Sequence, residues 1–123
     1  MPRRVAVIGA SNDRRKFGNK AVRAFTAQGY DVVPVNPHEK SIEGLTAYAS
    51  VLDVPGTIDM ATMYVPPEVG VLVVEELARR QIPEVWFNPG SESPALVSRV
   101  QALGLSVIEA CSILGIGDSP GRY

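Results

Sequence analysis

Five short runs dense in Val, Ile and aromatic residues alternate along the chain with segments of helical periodicity, and this alternation limits the fold more than any other feature. The runs fall at 4–8, 31–35, 58–65, 84–87 and 106–108. Most are too apolar to have one wet face, as expected of strands covered on both sides. Segment 19–28 puts Val22 and Phe25 on one side and stops at Gly29, which suits the left-handed position after a helix. Segment 67–80 carries Val69, Leu72, Val73 and Leu77 as its expected buried stripe, with Pro67 and Glu68 in the first turn and Arg79 and Arg80 in the last. Segment 93–103 has Ser93 as N-cap, Pro94 at the first helical position, Leu96, Val97, Val100 and Leu103 as its apolar stripe, and Gly104 as terminator. Strand, helix, strand in this order predicts right-handed crossovers and a doubly wound, Rossmann-type α/β domain. Residues 1–123 then form one unit, a five-stranded, mainly parallel sheet with helices on both faces. Segment 37–57 is irregular apart from a helical turn expected at 50–54 before Pro55-Gly56, with Leu45 and Tyr48 packing inward; 113–123 receives no assignment.

The 46% hydrophobic and 20% charged fractions are those of a soluble globular protein, and no apolar run nears the roughly 20 residues of a membrane span. The Met-Pro-Arg-Arg start leads straight into a strand pattern without a signal-peptide cleavage site, so the expected address is cytoplasmic. A single cysteine, Cys111, agrees with a reducing compartment. The net charge of −1 conceals an asymmetry: residues 1–40 hold eight Arg and Lys against three acids, the remainder four against ten. The basic first third suits an anionic ligand, whereas the acidic rest argues against non-specific nucleic-acid binding. Arg3, Arg4 and Arg23 are expected as solvated surface residues.

In a doubly wound sheet, ligands sit beyond the carboxyl ends of the strands where strand order reverses, so chemistry is sought at the five run ends. The first ends in Gly9-Ala10-Ser11-Asn12 and continues into Arg14-Arg15-Lys16, which spells neither the dinucleotide fingerprint nor a P-loop. A glycine there turns the backbone toward a ligand, the next helix N-terminus favours anions, Ser11 offers a hydroxyl and Lys16 a point charge. The second ends in Asn36-Pro37-His38-Glu39-Lys40. It has Asn36 where an NAD-binding domain commonly has a carboxylate for the ribose, so ordinary NAD binding loses support and Lys40 and His38 are left to meet a phosphate near an adenosine. His38 has no Cys or His companion, and no metal site is expected. The third end, Tyr64-Val65-Pro66-Pro67, forms a rigid apolar wall, and the fourth, Asn88-Pro89-Gly90-Ser91, is a turn that brings backbone close to something else. Trp86 and Phe87 are expected in the core, and the last run leads into Glu109-Ala110-Cys111-Ser112.

The ordered set Gly9-Ala10-Ser11, Val35-Asn36-Pro37, Tyr64-Val65-Pro66-Pro67, Asn88-Pro89-Gly90 and the late Cys111 resembles the small bacterial proteins of the CoA-binding domain family, which is related to the N-terminal domain of the succinyl-CoA synthetase α subunit. The resemblance covers essentially the whole chain. It implies that Gly9, Ala10, Ser11, Asn12 and Lys16 face the phosphates of coenzyme A. Asn36, Pro37 and Lys40 would line its adenosine and 3′-phosphate side, Tyr64, Val65 and Pro66 would flank the extended ligand, and Asn88, Pro89 and Gly90 would approach the pantetheine arm. Two departures limit the transfer. The synthetase needs a phosphorylated histidine on a second domain, which is not expected here, and many small family members carry Arg before the late cysteine where this chain has Ala110.

No Ser-His-Asp arrangement, metal-ligand cluster or isolated carboxylate pair stands out, and Cys111, the sole candidate nucleophile, is expected to be structural. The expected function is therefore non-enzymatic binding of CoA or an acyl-CoA, with no membrane or nucleic-acid partner. Homo-oligomers and a ligase partner subunit both stay open. The alternatives are an NADP-type oxidoreductase or sensor, a subunit supplying its CoA site to a separately encoded ligase, and a mixed disulfide between Cys111 and the CoA thiol.

Overall fold

The computed structural model describes residues 2–123. Strands β1 (Arg4–Ile8), β2 (Asp31–Val35), β5 (Met60–Met63), β6 (Glu84–Phe87) and β7 (Ser106–Glu109) form one five-stranded sheet in the order β2-β1-β5-β6-β7. Every pairing in it is parallel. Strands β3 (Ser41–Ile42) and β4 (Leu45–Thr46) make a separate two-stranded hairpin. Side chains alternate between two cores. Val5 and Val7 of β1 face α1 (Phe17–Ala27), where they meet Ala21, Val22 and Phe25. Ala6 and Ile8 face the opposite layer, where α2 (Pro67–Arg79) and α3 (Pro94–Ala102) contribute Val74, Leu77, Leu96 and Val100. Burial on both faces is why these strands read as continuous apolar runs.

Helix ends follow the expected chemistry. Ser93 Oγ accepts the Leu96 N–H at 3.2 Å as N-cap of α3, and α1 ends at Gly29 in the left-handed region, φ 85°. The stripe expected on α2 is corrected: Gly70, Val74 and Leu77 are the buried residues, while Val69 and Leu72 are exposed. The cause lies in the packing of α2 on α3, since a Cβ on Gly70 would lie 3.0 Å from Leu96 Cδ1. The small residue lets the helices approach and rotates Val69 and Leu72 off the core.

The third strand, Met60–Met63, is shorter than the expected 58–65: at its start the Asp59 N–H donates to the Arg4 carbonyl at 2.9 Å, but the Arg4 N–H is taken by the Asp59 carboxylate at 2.7 Å in place of a backbone carbonyl. The edge of β2 is covered by the segment around Tyr48: the Asn36 N–H donates to the Tyr48 carbonyl at 2.9 Å and the Tyr48 N–H to the Pro34 carbonyl at 3.0 Å. Two arginines expected in solvent instead join segments. Arg4 Nη1 donates to the Pro55 carbonyl at 2.5 Å, and Arg23 Nη2 donates to the Arg14 carbonyl at 2.9 Å and to the Tyr123 carbonyl at 3.2 Å. Arg3 stays at the surface beside Glu84. The tail contains α4 (Ser112–Gly115) and a short 3-10 turn, and α4 lies on Trp86 so closely that a Cβ on Gly115 would meet the indole at 2.6 Å.

Candidate functional site

The sheet reverses its winding beside β1, since the chain goes one way to β2 and the other to β5. At that point the end of β1 is shared. The Gly9 N–H donates to the Val35 carbonyl at 3.1 Å on the β2 side, while the Ile8 carbonyl accepts the Tyr64 N–H at 2.8 Å on the β5 side. Gly9 has φ 85°, and a Cβ there would lie 2.7 Å from the Tyr64 carbonyl oxygen, so only glycine fits. Gly18 in the first turn of α1 packs on the same loop, its Cβ direction ending 2.2 Å from the Gly9 carbonyl oxygen. These two glycines bring the α1 N-terminus against the end of β1.

A groove runs across these strand ends. Its centre is a cleft of about 420 Å³ lined by Gly9, Ala10, Ser11, Lys16, Phe17, Gly18, Asn36, Tyr64, Val65, Pro89, Gly90 and Ser91. On one side it shares Gly9, Asn36 and Val65 with a largely apolar hollow of about 350 Å³, walled by Pro37, His38, Val51 and the α2 residues Val69, Leu72 and Val73. On the other it shares Phe17, Tyr64 and Pro89 with a pocket of about 260 Å³ that ends at Asn88 and Cys111. Thus eleven of the fourteen residues expected at the site line one continuous groove. Asn12, Pro66 and Lys40 lie outside these three cavities. Asn12 Nδ2 donates to Glu39 Oε2 at 2.9 Å, Pro66 is the N-cap of α2, and Lys40 is exposed on the loop before β3.

The central cleft has a built polarity. Arg14 pairs with Glu43, and Arg15 with Asp13, whose carboxyl is held down at about 2 by hydrogen bonds from the Arg15 side chain and backbone. Of the three successive cations, Lys16 alone forms no ion pair among the described residues, and it lines the cleft. Ser11 Oγ accepts the Asp13 N–H at 3.0 Å, which leaves its own O–H to donate. The N-terminus of α1 has no side-chain cap and no acidic residue in its first turn, so its positive end is uncompensated toward the cleft. Asn19, fully buried, anchors the loop by donating from Nδ2 to the Ser11 carbonyl at 2.8 Å and to Glu43 Oε2 at 3.0 Å. Asn36 lines the cleft, and its carboxamide also holds the chain: Nδ2 donates to the Ala10 carbonyl at 2.8 Å and Oδ1 accepts the His38 N–H at 2.7 Å.

The far pocket rests on a closed polar network. Asn88 Nδ2 donates to Thr62 Oγ1 at 2.7 Å and to the Met63 carbonyl at 2.9 Å, and Asn88 Oδ1 accepts the Ser112 N–H at 2.8 Å. Ser112 Oγ meets Thr62 Oγ1 at 2.7 Å and the Tyr64 hydroxyl at 3.1 Å. Burial pushes the Tyr64 hydroxyl up to about 12, so it stays protonated at neutral pH. Cys111 is half-buried beside this network rather than enclosed in the core. Phe17, Gly18 and the outer α2 residues were not marked by the strand-end logic, whereas Ser91 stands in the turn it quotes. Phe17 and Gly18 stand nine and ten residues beyond β1, and Leu72 is hidden within a helical apolar stripe.

The sequence model described as "CoA binding domain" matches residues 3–117. Over 66 residues the chain is 46% identical to the acetate–CoA ligase [ADP-forming] II subunit alpha of Pyrococcus furiosus, a match that covers 53% of this chain and 14% of the ligase subunit. A conserved hypothetical protein of Pyrococcus furiosus has the same fold with a TM-score of 0.85 and 33% identity, covering 92% of this chain and 98% of its own. The dinucleotide-forming acetyl-coenzyme A synthetase 1 of Ca. Korarchaeum cryptofilum, in complex with phosphate and ADP, superposes with a TM-score of 0.79 and 25% identity over 89% of this chain and 26% of its own. The chain therefore spans only a small part of the named ligases it matches.

Proposed function

The chain belongs to the CoA-binding domain family, and from that premise we propose that it holds coenzyme A or an acyl-CoA along the groove, by binding alone. The supporting observation is the order of surfaces: an apolar hollow beside α2, a cationic centre at Lys16 and the α1 N-terminus, and a half-buried pocket ending at Cys111. Coenzyme A presents the same order as adenosine, pyrophosphate and pantetheine. The hydroxyl and amide groups beneath the far pocket hydrogen-bond one another, which suits a supporting role rather than attack on a thioester. Among the described residues, no group of three or more His, Cys, Asp or Glu is arranged to hold a metal ion, and no helix is long and apolar enough to cross a membrane.

The NADP alternative is weaker, because the end of β2 offers Asn36, whose carboxamide is already engaged on both sides. A second reading, in which the domain supplies its CoA site to a separately encoded ligase chain, draws on the ADP-forming ligase subunit it resembles. Co-purification with such a chain would favour it.

Titration of the Lys16→Ala and Lys40→Ala variants with CoA tests the central assignment. Lys16→Ala weakens binding about tenfold without moving the unfolding midpoint, because a charge-assisted phosphate contact is lost from an exposed side chain. Lys40, off the groove, contributes only screened attraction, and Lys40→Ala changes affinity less than about threefold. Unchanged affinity in Lys16→Ala would remove the phosphate site from this cleft.

A further inference from the structure

We infer that Phe17 is the residue by which the groove recognises the apolar arm attached to the phosphates, as distinct from the nucleotide itself. The inference rests on the binding reading above and deepens it. Phe17 is 55% exposed although it is a large aromatic residue, and it belongs to neither hydrophobic core. It opens α1 directly after Lys16, and it is one of three residues shared by the central cleft and the Cys111 pocket, with Tyr64 and Pro89. Those three form a collar through which anything reaching from the cationic centre to the far pocket must pass.

Within the collar, Tyr64 is tethered through its hydroxyl to Ser112, and Pro89 is rigid by its own chemistry. Phe17 is the exposed third side, with the Lys20 ammonium 5.3 Å from its ring centroid. An exposed aromatic ring that no fold contact requires is removed from water only when a ligand lies against it. The nucleotide end of the groove does not offer that contact, since the apolar hollow beside α2 is walled by Pro37, Val69, Leu72 and Val73 and does not include Phe17. The chemistry recognised is thus a flexible, largely apolar chain joined to a pyrophosphate.

The test is calorimetric titration of wild type, Phe17→Ala and Phe17→Leu with two ligands: CoA, and 3′-phosphoadenosine 5′-diphosphate, which keeps every phosphate and lacks the pantetheine arm. Phe17→Ala weakens CoA about tenfold, from the apolar ring area left uncovered, and changes the truncated nucleotide less than about twofold. Phe17→Leu gives a smaller loss for CoA in the same direction. Equal losses for both ligands would overturn the inference, because the ring would then only order the phosphate loop. No loss for either ligand would overturn it as well. Failure of wild type to bind either ligand would instead remove the binding reading on which it rests.

Discussion

Gly18→Ala lowers the unfolding midpoint by about 10 °C, the equivalent of roughly 2–3 kcal/mol in a domain of this size. The new methyl carbon would sit 2.2 Å from the Gly9 carbonyl oxygen, a backbone atom that has little room to yield. Gly9 is itself fixed, with its N–H bonded to Val35 and its own Cβ direction blocked by the Tyr64 carbonyl. Helix α1 must therefore withdraw from the end of β1, which opens the contact between Val22, Phe25 and the strand residues Val5 and Val7. Thermal unfolding followed by far-ultraviolet circular dichroism measures the shift. A midpoint within about 2 °C of wild type would mean that α1 does not approach β1 at this glycine.

Asn88→Ala has an effect of similar size through a different cause. The carboxamide is 3% exposed and makes three hydrogen bonds, two donated to Thr62 Oγ1 and the Met63 carbonyl and one accepted from the Ser112 N–H. Its removal leaves the Ser112 N–H and the Met63 carbonyl buried without these partners, at a cost of roughly 3 kcal/mol. Urea unfolding reads this directly, and Asn88→Asp does not rescue it, because a carboxylate supplies no donor for the Met63 carbonyl. A loss below about 0.5 kcal/mol would show that water replaces the carboxamide and that the network is not closed. For the site, the consequence is that Asn88 shapes the far pocket from beneath: its hydrogen bonds point into the protein while its side chain forms part of the wall.

Three strands were legible to the residue, while β5, buried at every position, is half the length of the run 58–65 that contains it. Segments 4–8, 31–35 and 84–87 coincide with β1, β2 and β6; in the first two the apolar run is buried on both faces, and in β6 Val85 and Phe87 carry the buried face. Legibility failed where a local pattern serves two purposes. Val69 and Leu72 fit the helical period of α2 but belong to the groove, because Gly70 and not a branched residue sets the contact with α3. The β3–β4 hairpin escaped notice because its strands are two residues each and its turn places Glu43 at φ 50° before Gly44, outside the usual Asn-Gly and Asp-Gly signals.

The strand-end logic located the groove itself, since Gly9, Asn36, Tyr64 and Pro89 must converge wherever parallel strands end together. It named Lys16 alone of the three successive cations but held no physical reason for setting its two neighbours aside. Arg14, Arg15 and Lys16 are equivalent as letters, and only the ion pairs to Glu43 and Asp13 separate them. Nor could it see Phe17 or Gly18, whose places depend on how tightly α1 returns to β1.

The most direct measurement is calorimetric titration of the purified, ligand-stripped protein with CoA, acetyl-CoA, NAD and NADP side by side. Saturable binding of CoA, with the nicotinamide cofactors silent, is the predicted result, because the groove offers one free lysine and a helix N-terminus between two apolar pockets and no carboxylate for a ribose at the end of β2. Saturable binding of NADP with no response to CoA would contradict it.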